Sequence, residues 1–132
     1  MFYRELNIKE QNEISEYLLD DKLLKLFWDM SKEDRQHSYE VFKRSQNKSD
    51  NKKLLILSLI HDIGKSTIHA GLLFRIFSEL GFIKNLKSQI YINHEEIGLE
   101  LLKNNKINNE IVEHYINNLL QQKHIILKYT DY

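Results

Sequence analysis

The sequence predicts an all-α fold in a single domain. The 132 residues include no Pro and only 4 Gly, so the chain lacks the punctuation that divides a β-sandwich or barrel. Apolar residues recur at helical spacing over most of the length. One short apolar run, Leu54 to Ile60, fits a buried strand as well as a buried helix, but no second strand candidate exists to pair with it.

In chain order, Asn7 with Glu10 forms a capping pair that starts the first helix, whose stripe of Ile14, Tyr17, Leu18 and Leu19 reaches to around Asp20. A second helix covers Lys22 to Met30 with Leu23, Leu26 and Phe27 inward. Ser31 caps a third, with Asp34 at its positive end and His37 one turn before Val41 on a shared face. That helix runs into the polar stretch Ser45 to Asn51. The central run from Lys52 to Asp62 is rich in Leu and poor in β-branched residues, which favours helix, and Gly64 ends or bends it. Ile68 to Leu80 is a further helix with Leu72, Leu73, Ile76 and Leu80 inward, closed by Gly81. Phe82 to Ile92 fits no single period, a short helix from Ser88 being one option. Asn93 with Glu96 is a second capping pair and opens a helix through Ile97, Leu101 and Leu102. Asn108 or Asn109 caps the next, which carries Ile111, His114 and Leu119. The last helix takes in Ile125, Ile126, Leu127 and Asp131. No internal repeat or low-complexity tract interrupts this pattern.

Composition removes several classes of function. There is no Cys, so neither a disulfide framework nor a thiolate metal site is possible, and any metal must be held by His and carboxylate oxygen. Lys+Arg and Asp+Glu both total 19, a balance that argues against binding long nucleic acid or a membrane surface. No segment approaches the roughly 20 apolar residues that span a bilayer. The first residues, Met1 to Leu6, lack the charged-then-apolar pattern of a signal peptide, which places the protein in the cytoplasm. Oligomeric state is left open, since Phe2, Tyr3, Phe27 and Trp28 suit a partner surface as well as a core.

The chemistry gathers at Leu54-Leu55-Ile56-Leu57-Ser58-Leu59-Ile60-His61-Asp62-Ile63-Gly64-Lys65. An apolar element with no polar face is buried, so it carries His61 and Asp62 to the middle of the domain. A buried carboxylate beside an imidazole is costly unless a cation or strong hydrogen bonds hold it, and a divalent metal satisfies both groups. Gly64-Lys65-Ser66 has the ending of a phosphate-binding P-loop, but that motif needs a Gly where Leu59 stands. The two-turn His-Glu-x-x-His spacing of zinc proteases is absent as well. His37, His61, Asp62, His94, His114 and Asp131 each share a helix face with apolar residues and can converge as in helical-bundle metal sites. His69 and His124 also lie on partly apolar faces, and periodicity does not separate them from the others.

Five ordered blocks settle on one resemblance: Asp34-Arg35-Gln36-His37-Ser38, Leu59 to Lys65, His94-Glu95-Glu96-Ile97-Gly98, Ile111-Val112-Glu113-His114 and Lys128-Tyr129-Thr130-Asp131. From about Phe27 to Asp131 the chain resembles the HD-domain metal-dependent phosphohydrolases, and more narrowly their HDIG branch. The resemblance implies a compact helical bundle of about six to eight helices. It also implies a core metal set of His37, His61, Asp62 and Asp131, with His94 and His114 completing a second ion that Asp62 bridges. The implied cofactor is two divalent ions, iron, manganese or similar, because His and carboxylate suit several metals. Tyr115 stands where the cyclic-dinucleotide phosphodiesterase branch has a second His, and that branch's Gly-Tyr-Pro block is missing. Lys65 and Ser66 replace the Glu-Asp pair of guanosine tetraphosphate hydrolases. The pattern is nearer to small stand-alone HDIG proteins, including those similar to diadenosine tetraphosphate hydrolases. Most relatives continue past the final Asp, and a terminal helix reaching Asp131 is expected to fray without metal.

The expected activity is hydrolysis of a phosphate ester or anhydride in a small phosphorylated substrate, a nucleotide by resemblance, through hydroxide activated between two ions about 3.5 to 4 Å apart. Asp62 and Lys65 are the expected catalytic residues, Lys65 as an added positive contact, with Arg35 a weaker candidate for the same task. Two other functions fit the same ligands: a non-catalytic metal-containing module that binds a nucleotide or partner, and metal-dependent oxidation at a di-iron site.

Overall fold

The computed structural model describes residues 3–66, 68 and 94–132, and within them it is all-helical, with seven α-helices and no strand. They are α1 (Ile8–Tyr17), α2 (Asp21–Trp28), α3 (Lys32–Gln46), α4 (Lys52–Ile60), α5 (His94–Asn104), α6 (Asn109–Tyr115) and α7 (Ile125–Thr130). A single 3-10 turn, Ile63–Lys65, follows α4, and a wider turn with i→i+5 bonding, Ile116–Leu120, extends α6. Most of the expected Ile68 to Leu80 helix, the stretch Phe82 to Ile92, His69 and the Asn93 cap lie outside the described residues.

The expected caps at Asn7, Ser31 and Asn108 form. Asn7 accepts from the Glu10 amide while the Glu10 side chain accepts from the Asn7 amide, closing a capping box at 2.9 Å in each direction. Ser31 accepts from the amide of Asp34 and opens α3, Asn51 accepts at the start of α4, and Asn108 rather than Asn109 caps α6.

The apolar run of the centre is a helix. Leu54, Leu55, Leu57, Leu59 and Ile60 point in different directions around α4, and all are buried. Such a helix needs cover on every side, and α1, α3 and α6 pack against it. Ile14, Leu18, Leu23, Leu26, Phe27, Val41 and Phe42 complete that side of the core. α5 lies on the 3-10 turn, and α7 lies on α3.

Two expectations change. α1 stops at Tyr17, and Leu19, expected inward, is 81% exposed, because it falls in the link to α2 where helical spacing no longer sets its direction. Asp131, expected within the last helix, follows α7 in a non-helical conformation because the helix ends at Thr130, and in α7 itself Ile125 is exposed while Leu127 is fully buried. Gly64 serves close approach rather than a left-handed cap: a Cβ there would overlap the carbonyl oxygen of His94. Gly98, one turn along α5, is needed for the same reason, since a Cβ would strike the Tyr115 hydroxyl. α5 therefore sits flush on the turn that follows the dyad.

Gly64→Ala should destabilise the protein by at least about 2 kcal/mol, because the obstructing atom is backbone and cannot swing aside. Leu19→Ala should change stability by less than about 0.5 kcal/mol. Urea denaturation of the two variants checks both values, and a neutral Gly64→Ala would contradict the packing described.

Candidate metal centre

His61 is the C-terminal cap residue of α4, and its ring turns back on the helix that carries it. Its Nδ1 lies 2.7 Å from the carbonyl oxygen of Ser58, one of the carbonyls that the end of α4 leaves without a helical partner. A carbonyl only accepts, so Nδ1 carries the proton and Nε2 of the neutral ring presents a lone pair. That Nε2 is buried and has no hydrogen-bond partner among the described residues. It faces Asp62 Oδ2 at 3.3 Å and Asp131 Oδ1 at 3.5 Å, so three acceptors point at one another.

The other groups close around this point. His37, on α3, places Nε2 2.7 Å from Asp131 Oδ1 and 3.9 Å from Asp62 Oδ2. His37, His61 and Asp62 offer ligand atoms all within 4.8 Å of one another. The two oxygens of Asp62 face different ways, since Oδ1 lies 3.5 Å from His94 Nε2 at the start of α5. His61 and Asp62 are almost wholly buried, whereas His37 and His94 are partly exposed, so the cluster opens to solvent on their side.

Mutual repulsion of the acceptors needs a positive charge, and protons and ammonium groups provide it in the protein alone. Burial pulls the His61 pKa down, but Asp62 and Asp131 outweigh it and hold the ring above its ordinary value. Burial also works against ionisation of Asp131, yet His37, His61 and Lys123 hold its carboxyl far below the usual range. Lys65 reaches Asp62 Oδ2 at 3.2 Å, and Lys123 reaches Asp131 Oδ2 at 2.6 Å. For Lys65, burial is opposed and outweighed by Asp62, which raises the ammonium pKa.

A divalent cation fits this arrangement. The donors are imidazole nitrogen and carboxylate oxygen, and the orphaned Nε2 of His61 is aimed at the carboxylates. Its Nδ1–H on a backbone carbonyl is the outer bond that metal-ligating histidines commonly make. His37, His61, Asp62 and Asp131 are the residues that would hold such an ion.

A match to the HD domain family covers residues 34–130. The chain belongs to the HD-domain family. HD domains are typically metal-dependent hydrolases that bind divalent metals, and the His-Asp cluster lies within the matched span. The match stops one residue short of Asp131, whose place here rests on its contact with His37. No curated protein and no solved structure matches the chain.

The structure does not bring His114 to the HD cluster. Its side chain lines a cavity of about 380 Å³ with Tyr17, Leu23, Ile56 and Ile60, and it forms no ion pair among the described residues. Burial first, then Lys53 and His124, lower its pKa. Sharing a face with Ile111 turned it inward, as expected, but an inward face does not specify which part of the core it meets.

Arg35 is occupied elsewhere, with Nη1 donating to the carbonyls of Trp28 and Met30, Nη2 pairing with Glu5, and the guanidinium over the Trp28 ring. His124 caps α7, accepting from the Ile126 amide through Nδ1. Gly64 faces the His94 carbonyl and Ser66 bonds the Asp29 carbonyl, so the Gly-Lys-Ser run forms no phosphate cradle. The structure adds Lys123 and Tyr115. The Tyr115 hydroxyl donates to the Glu95 carbonyl at 2.7 Å and fixes the turn that carries His94.

The shifts set a pH window for the metal-free protein. Asp131, with a lowered pKa, contributes stability that is present above the ordinary carboxylate value of 3.8 and lost only as pH falls through the folded value. His61, with a raised pKa, contributes stability that is full below 6.5 and lost as pH rises through the folded value. In chelator, the melting temperature should therefore be highest between these limits and fall from pH 6.5 upward. With saturating Mn2+ the metal increment should grow over the same rise, because ligation needs neutral imidazoles. A metal-free melting temperature that climbs from pH 6.5 to 9 would contradict the assignment.

Proposed function

We propose that this HD domain is a phosphohydrolase that cleaves a phosphate ester or anhydride of a small phosphorylated substrate, a nucleotide being the favoured class. The observation that carries it is the buried Nε2 of His61, without a hydrogen-bond partner among the described residues and aimed between two carboxylates. A purely structural His–Asp pair would be bonded to each other, whereas this nitrogen is left for a cation. The run His61-Asp62-Ile63-Gly64 favours the HDIG branch.

His37, His61 and Asp62, whose ligand atoms cluster, would hold a first ion together with Asp131, which contacts His37, while Asp62 Oδ1 and His94 would begin a second position. When bound, divalent ions of the iron or manganese kind supply Lewis-acid activation of water and neutralise charge at phosphorus. Asp62 turns Oδ2 toward His37 and His61 and Oδ1 toward His94, so its two oxygens would be available to two ions. His61 is kept by Ser58 in the tautomer whose Nε2 faces the site, so a bound cation would find the lone pair of the neutral ring there. Lys65 supplies a mobile positive charge: its ammonium is partly exposed beside Asp62 and its stem lets it reach a phosphoryl oxygen at the open side. The partial exposure of His37 and His94 is the approach for substrate and water.

Protein loaded with Mn2+ or Fe2+ should release phosphate or nucleotide from a panel of nucleotide substrates, and chelation should stop it. His61→Ala and Asp62→Ala should each lower kcat/KM by at least about a hundredfold. Lys65→Ala should lower it by roughly tenfold or more while leaving the metal content unchanged. Equal rates in wild type and in the His61 and Asp62 variants would refute the proposal. Stoichiometric metal binding without turnover of any substrate would favour a non-catalytic nucleotide-binding module.

A further inference from the structure

We propose that Arg44 is a positioning residue for Asp131, holding that carboxylate ready for a cation before any cation arrives. The inference rests on Asp131 being a ligand, as the proposed function has it. Arg44 lies on α3, the helix that also carries His37. Its Nη1 donates to the backbone oxygens of Thr130, at 3.1 Å, and Tyr132, at 2.9 Å, which flank Asp131 on both sides. The guanidinium carbon lies 3.7 Å from the centre of the Tyr132 ring, stacked over it. The next residue, Ser45, bonds the Thr130 hydroxyl at 3.0 Å in a buried contact. One helix thus presents a candidate ligand at His37 and, two turns on, clamps the segment that presents another.

The clamp has a physical task. α7 is 6 residues long, and Asp131 follows it in a non-helical conformation. A helix of that length does not hold itself in water. Ordering a residue costs about 1–2 kcal/mol, so without the clamp a cation would have to order the segment as part of binding. The Arg44 contacts meet that cost during folding, and what remains for the cation is ligation. The ion pair of Arg44 with Glu40, on the same helix and partly exposed, does not touch Asp131 and adds little.

The test is calorimetric titration with Mn2+, joined to amide hydrogen exchange, on wild type, Arg44→Met and Tyr132→Ala. Arg44→Met should weaken Mn2+ binding roughly tenfold or more. Exchange at residues 130–132 should speed up in the metal-free variant and return to wild-type rates at saturating Mn2+. Tyr132→Ala, which removes only the stacking partner, should show a smaller effect in the same direction. Arg44→Lys keeps the charge but not the planar fork, and should recover no more than part of the affinity. Unchanged Mn2+ affinity in Arg44→Met, faster exchange that Mn2+ does not reverse, or full recovery by Arg44→Lys would each overturn the inference and leave the metal reading intact. A wild-type protein that binds no Mn2+ would overturn both.

Discussion

The bond from His61 Nδ1 to the Ser58 carbonyl is the constraint on which the arrangement of the site depends. It is available only because α4 ends at Ile60 and leaves that carbonyl without an amide partner from the helix. It fixes both the tautomer and the direction of the ring, so the opposite nitrogen is delivered as a lone pair into a space already holding two carboxylates. α4 can deliver it there because its apolar residues leave no polar face to hold at the surface. Burial thus produces the orphaned acceptor, and the acceptor defines the chemistry.

Groups from distant parts of the chain then meet this point through separate devices. α3 supplies His37 and clamps the segment of Asp131 through Arg44 and Ser45. Gly64 lets α5 approach the dyad closely, Gly98 leaves room for the Tyr115 hydroxyl that ties its first turn, and His94 reaches the second oxygen of Asp62. Lys65 and Lys123 each pair with an oxygen of a different aspartate, beside partly exposed imidazoles. In the metal-free protein two ammonium groups face the two carboxylates, and these are the contacts a divalent ion would replace.

Much of this was legible in the sequence because it depends on local chemistry. Asn7 with Glu10, Ser31 and Asn108 cap helices through their own side chains, and the unbroken apolar run of α4 has no alternative to burial. The inward faces of His37 and His94 followed from periodicity, whereas Asp131 was expected inside the last helix and instead follows it in a non-helical conformation; the convergence of these residues followed from the resemblance. What was not legible depends on the tertiary path. Leu19 left the core because α1 ended two residues earlier than its apolar stripe, and His114 turned inward to a different cavity. Nothing in a chain with 19 Lys and Arg singles out Lys123 or Arg44, since each matters only through a segment that folding brings beside it. The role of Gly64 was likewise hidden, because a close approach by the backbone of His94 leaves no local mark.

Anomalous diffraction from crystals soaked in Mn2+ tests the central claim most directly. The account predicts a strong anomalous peak between His37 Nε2, His61 Nε2, Asp62 and Asp131, with His61 Nδ1 still on the Ser58 carbonyl and Lys65 drawn away from Asp62. A peak elsewhere in the protein, or none at this cluster at saturating Mn2+, would contradict it.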